Sequence, residues 1–187
     1  MNVLIQKDQI LSLKRFNTMK LIILGAGGHG KVVADIAQQI NKYEEIFFLD
    51  DLSQGNNIIG KCEEYTKFKD DDIEMYPAFG NNRTRIEWEE KLETYGIKLA
   101  KIVHPLAYIS PLATIEDGCV VMPYVIINTN VKIAKGCIIN CGAIIDHDCV
   151  LNKGCHLAPG AIVKGENILP EYMKVDSGEV ISLGMYK

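Results

Sequence analysis

No stretch of this 187-residue sequence stays apolar for the roughly 20 residues that a bilayer-spanning helix needs, which argues against a membrane span. An excess of positive charge is also missing. Twenty Lys and Arg stand against 24 Asp and Glu, a net charge of −4, so there is no general attraction to nucleic acid or to anionic lipid. Residues 1–18 lack the charged start, apolar middle and small-residue cleavage site of a secretory signal, and read as an extension ahead of the first strand. The expectation is a cytoplasmic protein. Histidine is scarce, with four in the chain, which makes the place of each one informative.

What is present is a repeat. From Val103 to Ile181 every sixth residue is aliphatic, and four residues after each stands a small or slim one, from Ala107 and Ala113 through to Ala161. A six-residue period of this kind makes a parallel β-helix, each unit forming one flat side of a triangular prism and three units closing a coil. The expected hand is left, against the usual right-handed crossover preference. The aliphatic residue fills the interior and the small one lets the chain pass the corner. This also explains the cysteines. Cys119, Cys137, Cys149 and Cys155 occupy the small inward slot, and three of them lie 18 residues apart, one above another. Buried packing residues are the expectation, rather than a zinc site or disulfides. At the end of the chain the small slot is taken by Asn167, Met173 and Glu179, so the regular pattern breaks down there.

Ahead of the repeat, strand and helix signals alternate: strands near 20–24, 45–49, 75–79 and 99–103, helices near 31–40 and 83–95, and a polar stretch of poor periodicity over 53–72. The division expected is an extension over 1–18, a small Rossmann-like α/β domain over 19–102 and a left-handed β-helix over 103–187.

Two places carry chemistry. Gly25-Ala-Gly-Gly-His-Gly30 satisfies G-x-G-x-x-G between a strand and a helix, and Asp50 closes the next strand 20 residues on. Glycines allow close backbone approach to phosphate at a helix N-terminus. About 80 residues hold one mononucleotide half, which favours a nucleotide-sugar while leaving a dinucleotide or a structural turn open. The second place is Asp146-His147-Asp148, at an outward position of its repeat, where flanking carboxylates can keep an imidazole oriented and basic. The alternatives are a surface histidine or a metal ligand, although His104 lies too many coils away to join a ligand set.

Taken in order, Gly25–Val33, Phe48-Leu-Asp50-Asp51, Phe79-Gly80-Asn81, Ile145-Asp-His-Asp-Cys149 and His156-Leu-Ala-Pro-Gly160 resemble the bacterial sugar acyltransferases of the sialic-acid O-acetyltransferase and bacillosamine N-acetyltransferase type. The resemblance runs from residue 19 to about 168. It implies a homotrimer that binds a nucleotide-sugar on the α/β domain and acetyl-CoA between neighbouring prisms. Carried over by motif, Gly27, Gly28, His29, Asp50, Asp51 and Gly80 contact the nucleotide-sugar, His147 is the general base and Asp148 its carboxylate partner. His156 and Gly165 face acetyl-CoA and Asn140 stands at the subunit boundary; no metal is implied. Outward Ile126, Ile138, Ile144 and Val150 suit a trimer interface. The expected activity is acetylation of an amino group on a nucleotide-linked sugar. Sugar O-acetylation, or a non-catalytic nucleotide-sugar-binding trimer with truncated coils, stands as the alternative.

Overall fold

The computed structural model describes residues 19–55 and 57–187; the extension expected over 1–18 lies outside the described residues. Strand β1 (Met19–Leu24) is apolar apart from Lys20 near its start, and its last four residues, Leu21–Leu24, are buried, as a central parallel strand covered on both sides should be. Helix α1 (Gly28–Gln39) follows, then β2 (Tyr43–Leu49), β3 (Ile58–Gly60), a 3₁₀ segment (Cys62–Phe68), β4 (Ile73–Pro77), α2 (Asn82–Thr94) and β5 (Lys98–Leu99). The five strands form one parallel sheet in the order β3-β2-β1-β4-β5. The chain therefore reverses its direction of winding between β1 and β4, and the crevice above their carboxyl ends is where ligands of such sheets sit.

Two elements differ from the sequence reading. The polar stretch over 53–72 contains β3 and the 3₁₀ segment, held to the sheet by Cys62, whose Sγ donates to the Leu49 carbonyl at 3.3 Å. The strand expected over 99–103 is two: β5 ends on the sheet at Leu99, and Ile102–Val103 already belongs to the prism.

From Ile102 to Ile181 the chain forms two-residue strands at six-residue intervals, stacked in parallel register on three faces of a left-handed β-helix. The first face stacks Ile102–Val103, Val120–Val121, Ile138–Ile139, His156–Leu157 and Lys174–Val175. A second stacks Tyr108–Ile109, Ile126–Ile127, Ile144–Ile145, Ile162–Val163 and Val180–Ile181, and a third Thr114–Ile115, Lys132–Ile133, Val150–Leu151 and Ile168–Leu169. The aliphatic ladder and the small slot, cysteines included, form one continuous buried core. All six cysteines are free, and in the column Cys119, Cys137 and Cys155 each Sγ donates to a backbone carbonyl at 3.2–3.4 Å.

The corners are made differently from the expectation. The residue just before each small one turns the chain: every sixth residue from Gly118 to Gly184 has a left-handed φ, among them Asn130, Asp148, Glu166 and Tyr172. Asn167 keeps the inward position at the far end. It is fully buried, and its amide donates to the carbonyls of Lys164 and Ser182 while its oxygen accepts from the Tyr186 amide, which ties down the last coil.

The α/β domain covers the first face. Val33 and Ala37 of α1, with Leu21 and Ile23 of β1, share one buried cluster with Ile102, Val120 and Ile138. Ile138 is thus spent on the domain contact and is unavailable to an interface between copies. Helix α2 lies along the corner column Gly118, Gly136 and Gly154. There Arg85, fully buried, donates from Nε to the Gly136 carbonyl (2.9 Å) and from Nη2 to that of Gly154 (3.1 Å). Among the described residues nothing covers the second face, where Tyr108, Ile126 and Val180 are exposed in one apolar column.

Candidate active site

The glycine turn sits at the end of β1, in the crevice. Gly27 opens α1 without a side-chain cap, and the first intrahelical bond runs from Lys31 to the Gly27 carbonyl (3.0 Å), which leaves the amides of Gly28, His29 and Gly30 without an intrahelical acceptor. Among the described residues a Cβ on Gly27 or Gly28 would meet nothing within 4 Å, whereas one on Gly30 would collide with the Gly25 carbonyl oxygen. The first two glycines therefore keep space open and the third brings the helix against the turn. Gly80, in the turn after β4, also faces open space, and Gly25 packs on the neighbouring Ala78 and Phe79. Beside the turn lies a cavity of about 590 Å³ lined by Ala26, Lys31, Phe48, Ser53, Asn57 and Ile58, among others. Unpaired helix amides, a lysine and an apolar wall suit a phosphate carrying a flat ring.

Asp50, expected to meet the ribose, is held in place by backbone amides. Oδ2 accepts from the Ala26 amide (2.6 Å) and Oδ1 from the amides of Ser53 (2.6 Å) and Leu52 (2.9 Å). Burial works against the charge, yet these amide donors win and hold the carboxyl down to about 2. Asp50 is the pin between the glycine turn and the loop that walls the cavity. Asp51 likewise points inward, accepting from the Cys62 amide at 3.1 Å.

His29 leads from the turn toward the prism. Its Nε2 lies 3.4 Å from the Tyr76 hydroxyl, and burial, followed by the charge of Arg85 and the presence of His156, lowers its pKa to about 4. His156 is held near 4 as well, by burial first and then by Arg85 and Lys174, and its buried Nε2 has no hydrogen-bond partner among the described residues. It belongs to the first face, next in the column after Ile138, and so lies on the α/β-domain side of the prism and not at the edge that carries His147.

His147 stands at the corner between the second and third faces. Its Nδ1 bonds Asp148 Oδ2 at 2.8 Å, and its backbone amide donates to Asp146 Oδ1 at 2.9 Å. The pKa is raised, first by the Asp148 bond and then by the Asp146 charge. The ring lies over Gly165, where a Cβ would come within 2.9 Å of Nε2, so Gly165 supplies the room in which the imidazole rests. Two polar partners escaped the spacing analysis. Asn128 and Asn130, each 18 residues before a flanking carboxylate, donate to Asp146 Oδ1 and Asp148 Oδ1 at 3.0 Å. Applying the three-unit stacking rule to the carboxylates would have located both. Asn140 turns its oxygen to the next amide, Cys141 (2.8 Å), at a corner of the first and second faces.

One set of residues thus gathers around the crevice (Gly27, Gly28, His29, Gly80, with His156 beyond) and another around His147 (Asp148, Gly165). The prism separates them, because the α/β domain covers the first face and His147 occupies the opposite edge.

Comparison with known proteins agrees with this fold. Residues 20–92 match the PglD N-terminal domain family. The acetyltransferase domain of PglB from Neisseria gonorrhoeae, solved with acetyl-CoA, is 36% identical over 89% of this chain and 83% of its own, with a TM-score of 0.87. A histidine-to-asparagine variant of perosamine N-acetyltransferase from Caulobacter crescentus, in complex with CoA and GDP-perosamine, is 30% identical over 78% of this chain and 71% of its own (TM-score 0.72). PerB from the same organism, with the same two ligands, is 28% identical over 88% and 89% (TM-score 0.76). With a parallel sheet in front, a hexapeptide prism behind and such relatives over most of its length, this chain belongs to the bacterial hexapeptide-repeat sugar acetyltransferases and is an enzyme of that family.

Proposed function

We propose that this protein moves the acetyl group of acetyl-CoA onto an amino group of a nucleotide-linked sugar, at sites shared between neighbouring copies of a homotrimer. The observation that carries this reading is the separation of the two residue sets within one chain. The nucleotide crevice and the His147–Asp148 pair lie on opposite sides of the prism, so one chain cannot bring both to one substrate. The open apolar column Tyr108, Ile126, Ile144, Ile162 and Val180 adjoins the His147 edge, and covering it with a second copy would carry His147 toward that copy's α/β domain. An N-acetyltransferase solved with CoA and a nucleotide-linked amino sugar among the relatives supports the choice of substrates.

In this reading the amides of Gly28 and His29, with Gly27 and Gly80 leaving room, receive the diphosphate, and Lys31 neutralises it. Asp50 and Asp51 hold the surrounding loops. His156 joins this cleft as a neutral hydrogen-bond partner, while Gly165 and Asn140 line the approach of acetyl-CoA along the edge. With Nδ1 engaged by Asp148, Nε2 of His147 is the free nitrogen. It takes a proton from the sugar amine as that nitrogen attacks the thioester carbonyl. The C–S bond then breaks and the departing thiolate takes the proton back from the imidazolium. His29 and His156, with pKa values near 4, would be poor bases at neutral pH, which leaves His147 for the task. Six free thiols suit a reducing, cytoplasmic setting.

Subunit mixing tests the reading. His147→Ala and Gly28→Val copies, each inactive alone, are unfolded and refolded together. Some mixed trimers then hold an intact crevice beside an intact His147, and activity returns. A mixture that assembles into trimers and stays inactive would overturn the shared site.

A further inference from the structure

The carboxylate that orients His147 is itself held from the coil beneath. Asp148 uses Oδ2 for His147 Nδ1 (2.8 Å) and Oδ1 for Asn130 Nδ2 (3.0 Å), so imidazole, carboxylate and amide stand in one line along the prism edge. Both Asn130 and Asp148 have left-handed backbone, with φ of 59° and 56°. That conformation costs a residue other than glycine roughly 1–2 kcal/mol. Seven of the twelve corner residues from 118 to 184 are glycine, yet here three consecutive coils place a side chain at the same corner, Asn130, Asp148 and Glu166, and the first two bond each other.

We propose that Asn130 is a positioning residue for the acetyl transfer, fixing Asp148 so that its second oxygen stays on Nδ1 and Nε2 of His147 keeps the free lone pair. This rests on His147 being the base. The Asn130 bond is also the first cause of Asp148's lowered pKa, ahead of His147 itself, so the carboxylate is the group that Asn130 engages. The groups around the ring are few. Asp146 and Asp148 flank it on its own coil, Lys164 and Glu166 flank Gly165 on the coil above, and the coil below offers Asn128, Thr129 and Asn130, none of which titrates. The bond is exposed to solvent and the turn that carries Asn130 favours glycine, so a purely structural role and a positioning role give different results.

Asn130→Gly keeps the left-handed turn and removes the amide. Four measurements on the intact protein decide the matter: thermal midpoint, KM for both substrates, kcat against pH, and the titration of the His147 ring by NMR without substrates. The expected result is a thermal midpoint that does not fall, because glycine relieves the strain of the left-handed turn as the bond is lost, and unchanged KM values with kcat lower by roughly tenfold, part of the ~10²–10⁴ supplied by a general base. The acid limb of the kcat profile and the His147 titration both move to lower pH, toward ordinary histidine. Because Asn130 acts through Asp148, the double variant Asn130→Gly/Asp148→Asn is no slower than Asp148→Asn alone. Losses that multiply in the double variant, or an unmoved His147 titration in Asn130→Gly, overturn the proposal. Full turnover by His147→Ala would instead remove the base assignment, and the NMR titration would still report whether Asn130 acts on the ring.

Discussion

The corner column Gly118–Gly136–Gly154 and the column Asn130–Asp148–Glu166 are built from the same repeat and need the same left-handed turn, yet they look out on different neighbours. On the glycine column α2 lies close enough for Arg85 to bond two corner carbonyls. A Cβ on Gly118 or Gly136 would come within 2.6 Å of a Glu89 oxygen. On the other column side chains remain, and they hold His147. Glycine meets the turn by giving up its side chain, which admits a helix. Asn and Asp meet it at some cost in backbone strain and keep a polar group where chemistry needs one. One geometric requirement thus yields a docking edge and a candidate catalytic edge on a single prism.

The largest effect should come from the polar edge. His147→Ala removes an exposed ring, so the thermal midpoint should hold while turnover falls by ~10²–10⁴. Parallel assay and melting of one preparation check this, and a matching loss of stability would make the edge structural like its counterpart.

The docking edge should respond to pH. Both oxygens of Glu89 are buried there without a hydrogen-bond partner among the described residues, because the Arg85 guanidinium is committed to carbonyls and to Asn82. Burial raises the Glu89 pKa to about 8; Arg85 and Lys135 act against this, Glu93 and Glu90 with it. The folded protein therefore keeps a proton that the unfolded chain has released from about pH 4.5 upward. The stability that this proton confers is whole below the unfolded value and is lost as pH rises toward 8. His29 and His156, with depressed values, act in the opposite sense between about 4 and 6.5, so the clean window is pH 6.5–8. Across it wild type should lose about 2 kcal/mol relative to Glu89→Gln in urea titrations, a difference that cancels the titration of His147. Equal slopes in the two proteins would place the buried proton elsewhere.

A smaller contrast isolates close approach from backbone strain. Gly136 and Gly142 share a φ of 66°, but a Cβ at Gly142 meets nothing within 4 Å, whereas at Gly136 it overlaps Ile86 and Glu89. Gly142→Ala should cost about 1–2 kcal/mol for the left-handed turn. Gly136→Ala should cost about 1–3 kcal/mol more for overpacking. Equal losses in chemical denaturation would mean that α2 yields freely, and that the glycine column serves the turn alone.

The prism was readable because its rule is local and repeated. An inward aliphatic residue every six positions leaves no other way to bury the ladder, and the cysteine column follows from the same count. The glycine turn was readable for a similar reason, since strand, turn and helix are contiguous. Less was visible where contacts join distant residues. The amides of Ala26, Leu52 and Ser53 that hold Asp50 were not visible in the sequence, because only loop closure after β2 brings those donors to it. Ile138 read as interface and is buried under the α/β domain. Asn167 read as a break in the pattern and is the residue that fastens the last coil.

By itself, then, the sequence determined the two architectures, the inward ladder and the residues able to do acid–base and phosphate chemistry, because each depends on periodicity or on neighbours in the chain. Only the tertiary structure decided which prism face the α/β domain covers, and hence that His147 and the glycine turn lie on opposite sides of one chain. It alone set Arg85 and Glu89 into the docking edge and Asn130 beneath Asp148. Those outcomes depend on how two rigid bodies pack and on which residues coincide from coil to coil, and no local spacing in the chain encodes the choice among three equivalent faces.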